Sequence, residues 1–272
     1  MRILAINDIS CVGKCSLAAT LPIISACGIE CNVLPTAILS THTGGFEGYT
    51  FRDLTEDIPA ILAHWKSLGI QFDYIYSGYL GSIDQIDLVL HVKKDFLTAS
   101  GKLIVDPVMG DNGKLYAGFT KKYVKKMREL CKAADYILPN ETEACYLSDS
   151  PYPLNRESAP IALNKLTELC STPIITGITD NNRVYVYYNE NIGKPATYSN
   201  ENVEGFFCGA GDVFASAFVG CLAKGKSQTE AIKLASDFTA AAIRRSAKEV
   251  PDKKYGLNFE AEIFTFLKNL NA

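Results

Sequence analysis

The sequence has little that would suit a membrane span, a nucleic-acid surface or an oxidising compartment. No uncharged apolar run approaches the roughly 20 residues that a helix needs to cross a bilayer. Positive charge is not in excess: 27 Lys and Arg stand against 30 Asp and Glu, for a formal net charge of −3. Binding a polyanion needs clustered cations, so this balance argues against nucleic acid as a partner. The one dense basic stretch, Lys121 to Arg128, keeps its charges off the apolar positions and reads as the solvated face of a helix. Met1-Arg2-Ile3-Leu4-Ala5-Ile6-Asn7-Asp8 enters a strand pattern directly, without a charged-then-apolar leader. The nine cysteines are odd in number and scattered through core elements, and no His lies near Cys11 and Cys15 or Cys27 and Cys31. Reduced thiols are expected, not a disulfide framework or structural zinc. A soluble cytoplasmic protein follows, with no membrane and no nucleic acid among its partners. There is no repeat of 20 to 50 residues and no low-complexity segment.

What the chain does have is 47% hydrophobic residues over 272 positions, enough to bury a large core. Residues 1–272 are read as one domain. The first strand, Arg2 to Asn7, is followed by a loop at Asp8 to Lys14 and a helix from about Cys15 to Cys27, with Pro22 kinking it or displacing its start. Residues 31 to 40 read as a strand pair or a bent strand. The glycine-rich run Thr41 to Tyr49 is a natural lid, giving a substrate-covering loop near 41–50. Further strands are expected at Tyr74 to Gly78, Lys102 to Val105, Tyr136 to Leu138 and Pro173 to Gly177, each ending in polar residues. Helices are expected at Thr55 to Leu68, Asp84 to Ser100, 161 to 170, Ser227 to Ala247 and Asn258 to Asn269. Arg183 to Tyr188 and Lys194 to Tyr198 form a hairpin through the turn Asn189 to Gly193. Strand, polar loop and helix recur at least five times, which predicts an α/β fold with a mostly parallel, doubly wound sheet and helices on both faces. Parallel strands bring their carboxyl ends to one edge. Asp8, Tyr79, Asp106, Asn140, Glu143, Thr176 and Asp212 should therefore meet in one crevice.

The run Gly205 to Ser216 holds Gly209-Ala210-Gly211-Asp212 ahead of an apolar, Ala-rich helix. Glycines uncover backbone N–H groups and the helix dipole adds positive potential, so a phosphate would sit well there. Asp212 would repel that phosphate, which suggests a base that accepts a proton from an attacking hydroxyl. The plainer alternative is a helix-opening turn with Asp212 as a dipole partner. Gly13-Lys14 hints at a P-loop, but position 8 is Asp where Gly is required, and Cys15 replaces the Ser or Thr that would hold magnesium. An acidic crevice facing a phosphate turn needs a counter-charge, and Mg2+ supplies it: it prefers oxygen and typically reaches one or two carboxylates plus nucleotide phosphates. For Glu143 the competing reading is helix N-capping.

Gly209-Ala210-Gly211-Asp212, Ser77 to Ser82, Asp106-Pro107-Val108-Met109-Gly110 and Pro139-Asn140 with Glu143, in this order and spacing, resemble the ribokinase-like superfamily. Within it they look closest to the pyridoxal (pyridoxine, pyridoxamine) kinases, over residues 3 to 245. The resemblance implies a three-layer sandwich and ATP-dependent phosphorylation of the 5′-hydroxymethyl group of a vitamin B6 vitamer. By the same resemblance Asp212 is the base and Gly209, Ala210 and Gly211 form the anion hole. Asp106, Asn140 and Glu143 would arrange metal, water and ATP phosphates, with Asp106 and Glu143 on Mg2+, and Thr176 would line the nucleotide side. His42 and Thr43 match a substrate loop, and Tyr79 the aromatic beside the pyridine ring; Asp8 and Ser10 fall where ring contacts are made. A monovalent cation such as K+ is a further cofactor candidate, and a homodimer is expected. Two departures stand out. Ala210 replaces the usual Thr without removing an N–H, and Asp8 replaces a Ser and resembles the acidic residue of hydroxymethylpyrimidine kinases. Those kinases are the nearest alternative, but they commonly carry Cys where this chain has Asp212. A non-catalytic B6-binding protein of the same fold is the alternative from another class.

Overall fold

The computed structural model describes residues 1–191, 193–250 and 252–272. From the N-terminus, β1 (Arg2–Val12), α1 (Leu17–Ala26), β2 (Glu30–Thr41) and β3 (Phe51–Asp53) lead to α2 (Ile58–Ser67), β4 (Phe72–Ser77) and α3 (Ile83–Phe96). Next come β5 (Leu97–Val105), a small hairpin of β6 (Gly110–Asp111) and β7 (Lys114–Leu115), α4 (Lys121–Ala133), β8 (Tyr136–Ile137), α5 (Glu141–Ser148) and α6 (Ser158–Leu166). The chain continues through β9 (Ile174–Asp180), β10 (Arg183–Asn191) and β11 (Lys194–Glu201) to α7 (Ala210–Ala223), α8 (Gln228–Glu249) and α9 (Ile263–Leu270).

The main sheet has the order β3-β2-β1-β4-β5-β8. Its pairings are parallel except for the antiparallel edge strand β3. Single parallel bridges, Ile137 to Pro173 and Asn140 to Thr176, carry the order on to β9, from which β10 and β11 continue antiparallel. Because strand side chains alternate, each central strand feeds two cores. Leu4, Ile6, Ile75, Leu103 and Val105 pack toward α3, α4, α5 and α6, whereas Ile3, Ala5, Tyr76 and Ile104 pack toward α1, α7, α8 and α9. The result is the three-layer, ribokinase-like α/β sandwich that the sequence predicts.

Several boundaries differ from the sequence reading. Residues 8–12 are strand and not loop, because β1 keeps its pairing with β2 as far as Val12 opposite Thr41, across a register shift between Asn7 and Ile9. Residues 31–40 form part of one long strand. Pro22 lies inside α1, which starts ahead of it at Leu17. The hairpin β6–β7 and the eight-residue α5 have no counterpart in the sequence reading, α6 begins three residues earlier than expected, and short 3-10 turns at 253–255 and 260–262 precede α9. The turn expected at Asn189 to Gly193 includes position 192, which lies outside the described residues. Among the described residues no helix is long and apolar enough to cross a membrane.

Going from β1 to β2 the chain steps to one side, and to β4 it steps to the other. The crevice at this reversal, at the carboxyl ends of the strands, is where open α/β sheets place ligands.

Candidate active site

The turn into α7 is built by a glycine that no other residue could replace without strain. Gly209 caps the helix at φ 79°, and a Cβ there would lie 2.3 Å from the Lys14 carbonyl oxygen and 3.2 Å from Cys15 Sγ. A Cβ on Gly211, by contrast, would meet nothing within 4 Å, so that side of the turn faces open space. The first-turn N–H groups of a helix have no intrahelical acceptors, and here they are offered to a cavity. The helix behind them is anchored firmly, with every residue from Val213 to Ala223 buried.

Asp212 stands in that first turn. Burial pushes its carboxyl up from the ordinary 3.8 to about 6; the Ser16 backbone N–H and the Asn7 side chain pull it down, and Asp8 pushes it up. A carboxylate with this value is ionised at neutral pH and still basic enough to take a proton.

Two further carboxylates come from neighbouring strand ends. Asp106 follows β5, and burial, then the charges of Glu143 and Asp212, raise its pKa well above the usual range, with the Tyr76 hydroxyl acting in the opposite sense. That hydroxyl is itself buried without a partner in hydrogen-bond geometry. Glu143 is the third residue of α5 and forms a capping box: Glu143 N–H donates to Asn140 Oδ1 (2.9 Å) and Asn140 N–H to Glu143 Oε2 (2.9 Å). Met109 N–H donates to Glu143 Oε1 (3.0 Å), and Asn140 Nδ2 to the Gly110 carbonyl (2.9 Å). Pro139-Asn140 with Glu143 is thus both a helix cap and a clamp on the loop after β5. Burial nonetheless raises the Glu143 pKa, the backbone N–H groups offsetting only part of it.

Asp212, Asp106 and Glu143 all line one cavity of about 530 Å³, together with Tyr79, Asn140, Thr176, Gly209, Ala210 and Gly211. Asp111 and Glu201 line it too, and no Lys or Arg does among the described residues. A polyphosphate could enter such a space only with added positive charge. The donor set fits magnesium, since oxygen ligands from two carboxylates suffice for an ion that keeps waters and shares phosphate oxygens. It does not fit a fully protein-ligated ion: no group of three or more His, Cys, Asp or Glu side chains comes together as a metal site among the described residues.

The residues expected to touch a substrate ring divide into two groups. Tyr79 lines the cavity, its ring stacked on Phe119 (centroids 5.9 Å apart), which stacks on Tyr123 (3.9 Å); Tyr123 Oη donates to the Leu80 carbonyl (2.6 Å). Asp8, Ser10, His42 and Thr43 are not among the residues lining it. Asp8 is buried and accepts hydrogen bonds from Ser16 Oγ (2.6 Å) and Ser10 Oγ (3.2 Å). Burial raises its pKa, against those two serine bonds. Both ring nitrogens of His42 are engaged within the protein: Gly44 N–H donates to Nδ1 (3.0 Å), so Nε2 carries the proton donated to the Lys254 carbonyl (2.6 Å). Thr43 is exposed. Cys208 Sγ donates to the Gly44 carbonyl (3.3 Å), and Lys254 lies over Phe46 (5.1 Å), so the 41–50 loop is pinned to the turn before α7 and to the chain beyond α8.

Asn7, Ser16 and Tyr116 belong to the site but are not singled out by the sequence. Asn7 ends a polar strand tail, a weak signal shared by many strands. Ser16 becomes important only because it adopts φ 55°, and Tyr116 because the β6–β7 hairpin carries it over the carboxylates. Burial and the charges of Glu143, Asp111, Asp106 and Asp212 push the Tyr116 pKa up, so its hydroxyl stays protonated and able to donate.

A mainly parallel sheet with a glycine-rich turn and three carboxylates around one cavity at its switch point defines a ribokinase-like fold. The phosphomethylpyrimidine kinase family matches residues 16–256. A Bacteroides thetaiotaomicron protein provisionally named a phosphomethylpyrimidine kinase, and solved with pyridoxal, is 37% identical, with a TM-score of 0.91 over 100% of this chain and 96% of that one. Pyridoxal kinase from Lactobacillus plantarum is 29% identical, with a TM-score of 0.92 over 98% and 96%. Pyridoxal kinase from Dictyostelium discoideum is 29% identical over 156 residues, 54% of this chain and 50% of that one. The match thus spans about half the length of that curated relative, and 65% of another from Caenorhabditis elegans. The chain belongs to the phosphomethylpyrimidine kinase family.

Proposed function

We propose that this chain phosphorylates the 5′-hydroxymethyl group of pyridoxal, pyridoxine or pyridoxamine at the expense of ATP. The observation that carries the reading is the meeting of Asp212, the Gly209-Ala210-Gly211 turn, Asp106, Glu143 and Tyr79 around one cavity. The pyridoxal-bound relative at 37% identity supports the ring assignment.

In this reading Asp212 takes the proton of the substrate hydroxyl as its oxygen bonds to the γ-phosphorus of ATP. The bond from that phosphorus to the β–γ bridging oxygen breaks and ADP leaves. The amides of Gly209, Ala210 and Gly211 face the transferred group and hold its charge. Asp106 and Glu143 would hold Mg2+, the Glu143 carboxylate being fixed by one backbone N–H on each oxygen. The ion, when bound, neutralises phosphate charge in a cavity whose lining has no cation of its own. Asn140 fixes the Glu143 carboxylate, and Thr176, joined to Asn140 by a backbone bridge, lines the nucleotide side. Tyr79 offers its face to the pyridine ring. His42 and Thr43 would contribute through the 41–50 loop as a cover and not as ring contacts. One kinase domain over residues 1–272, a homodimer, a cytoplasmic setting and assistance by K+ complete the reading.

The second reading is hydroxymethylpyrimidine (phosphate) kinase, favoured by the family match itself and by similarity to a thiamine biosynthetic bifunctional enzyme from Arabidopsis thaliana. Side-by-side kinetics with Mg-ATP on the three B6 vitamers and on hydroxymethylpyrimidine decide between them. Faster turnover of a B6 vitamer is expected; turnover of the pyrimidine alone would transfer the assignment, and turnover of none would leave a non-catalytic binding protein.

A further inference from the structure

Asn7 is wholly buried at the switch point between β1 and β4. Its Oδ1 accepts the N–H groups of Asp8 (3.0 Å) and Tyr79 (2.8 Å). Two donors on one end of the amide identify that end as oxygen, so Nδ2 must be the end that faces Asp212 Oδ1, at 3.4 Å. Room for this seat comes from Gly78, where a Cβ would lie 2.2 Å from Asn7 Nδ2.

The next residue reaches Asp212 by another route. Asp8 accepts from Ser16 Oγ at 2.6 Å, and this bond helps hold Ser16 in a left-handed conformation (φ 55°) that side chains other than glycine rarely adopt. With Ser16 so held, its backbone N–H favours the ionised form of Asp212. Asn7 Nδ2, within hydrogen-bond distance, and the nearby Ser16 amide thus both favour the ionised carboxylate, and both are set by consecutive residues of β1.

We propose that Asn7 and Ser16, the latter anchored by Asp8, are positioning residues that orient the Asp212 carboxylate and keep it ionised for proton transfer. Asp8 is then an anchor inside the protein and not a contact to the substrate ring. The proposal rests on Asp212 being the base. The titratable groups facing Asp212 are Asp8 from β1, Cys15 ahead of α1, Tyr76 from β4, Asp106 after β5 and Tyr116 after β7, and none is a cation. A Lys or Arg in place of the amide would lock Asp212 in an ion pair and weaken it as a base. An amide donates without titrating, so it steadies the charge and leaves the basicity.

The test is the titration of Asp212 by isotope-edited carboxyl NMR in the protein without substrate, with the signal assigned by its loss in Asp212→Asn, alongside the pH profile of kcat with pyridoxal and Mg-ATP. Asn7→Leu is close in size and removes the donor without adding a charge beside Asp212; Ser16→Ala removes the anchor and keeps the backbone. Both should move the Asp212 titration upward, Asn7→Leu by about one pH unit. The acid limb of kcat should move with it, lowering kcat at pH 6 by up to about tenfold, while the KM for pyridoxal stays near wild type. An unmoved titration in both folded variants overturns the proposal, as does a raised KM with kcat and titration unchanged, which would make these residues ring contacts. A titration that moves while the acid limb of kcat does not would uphold the cradle around Asp212 and refute its assignment as the base.

Discussion

Replacing Asp212 with Asn should slow the enzyme and stabilise the fold at the same time. Its carboxyl titrates near 6 in the folded chain against an ordinary 3.8. Below pH 3.8 it is protonated whether the chain is folded or not, and folding loses nothing by burying it. Between 3.8 and 6 the unfolded chain releases the proton while the folded one keeps it, so stability falls as pH rises; above 6 the penalty is complete. The gap corresponds to about 3 kcal/mol at pH 7, an upper figure for a single buried carboxylate. Asn is neutral and escapes it. For a chain of this size about 3 kcal/mol is worth roughly 5 °C or more in Tm. Melting followed by circular dichroism should therefore place Asp212→Asn above wild type at pH 7, with the difference closing toward pH 4. In the coupled ADP-release assay with pyridoxal, kcat should fall by about 100- to 10,000-fold, the usual worth of a general base. A variant that melts below wild type at pH 7, or a gap that is the same at pH 5 and pH 8, would refute the reasoning about burial. Turnover within tenfold of wild type would remove Asp212 from the chemistry.

Three other outcomes follow from the geometry. Glu143→Ala should lower stability by about 1–3 kcal/mol in urea unfolding, because the Met109 and Asn140 N–H groups lose their acceptor; Glu143→Gln should keep most of the fold and raise the Mg2+ concentration needed for half-maximal activity. Gly209→Ala places a methyl 2.3 Å from the Lys14 carbonyl oxygen in a left-handed turn, so both Tm and kcat should drop, with binding of the vitamer, measured by calorimetry, less affected than turnover. Tyr79→Ala removes the ring that stacks on Phe119, and the KM for pyridoxal should rise more than kcat falls. Equal effects on the two would remove Tyr79 from the ring-binding wall.

Much of the fold is legible in the sequence because its signals are local and repeated. Continuous apolar runs at Ile3 to Ile6 and Leu103 to Val105 declare strands that feed two cores, and polar strand endings declare the edge where ligands belong. The Asn140–Glu143 spacing is legible twice over, as a cap and as a cavity carboxylate, since a capping box and a loop clamp use the same atoms. α5 escapes notice for a related reason: eight residues with buried Thr142 and Glu143 carry too short an apolar stripe to announce a helix. Residues 8–12 escape because whether a polar tail is loop or strand depends on its partner, and β2 stays paired with it to the end.

From its order of residues alone this chain determines a parallel α/β sandwich, a glycine turn ahead of a buried helix, and a set of carboxylates at the ends of separate strands. Those features depend on periodicity, glycine's backbone freedom and the fact that parallel strands share one carboxyl edge. Only the tertiary structure decides what each polar group faces. It turns Asp8 inward to Ser16, ties both nitrogens of His42 to main chain, and sets the Asn7 amide against Asp212. Such pairings join residues up to 212 positions apart, where no local pattern can register them, and burial then sets how readily each carboxylate holds its charge.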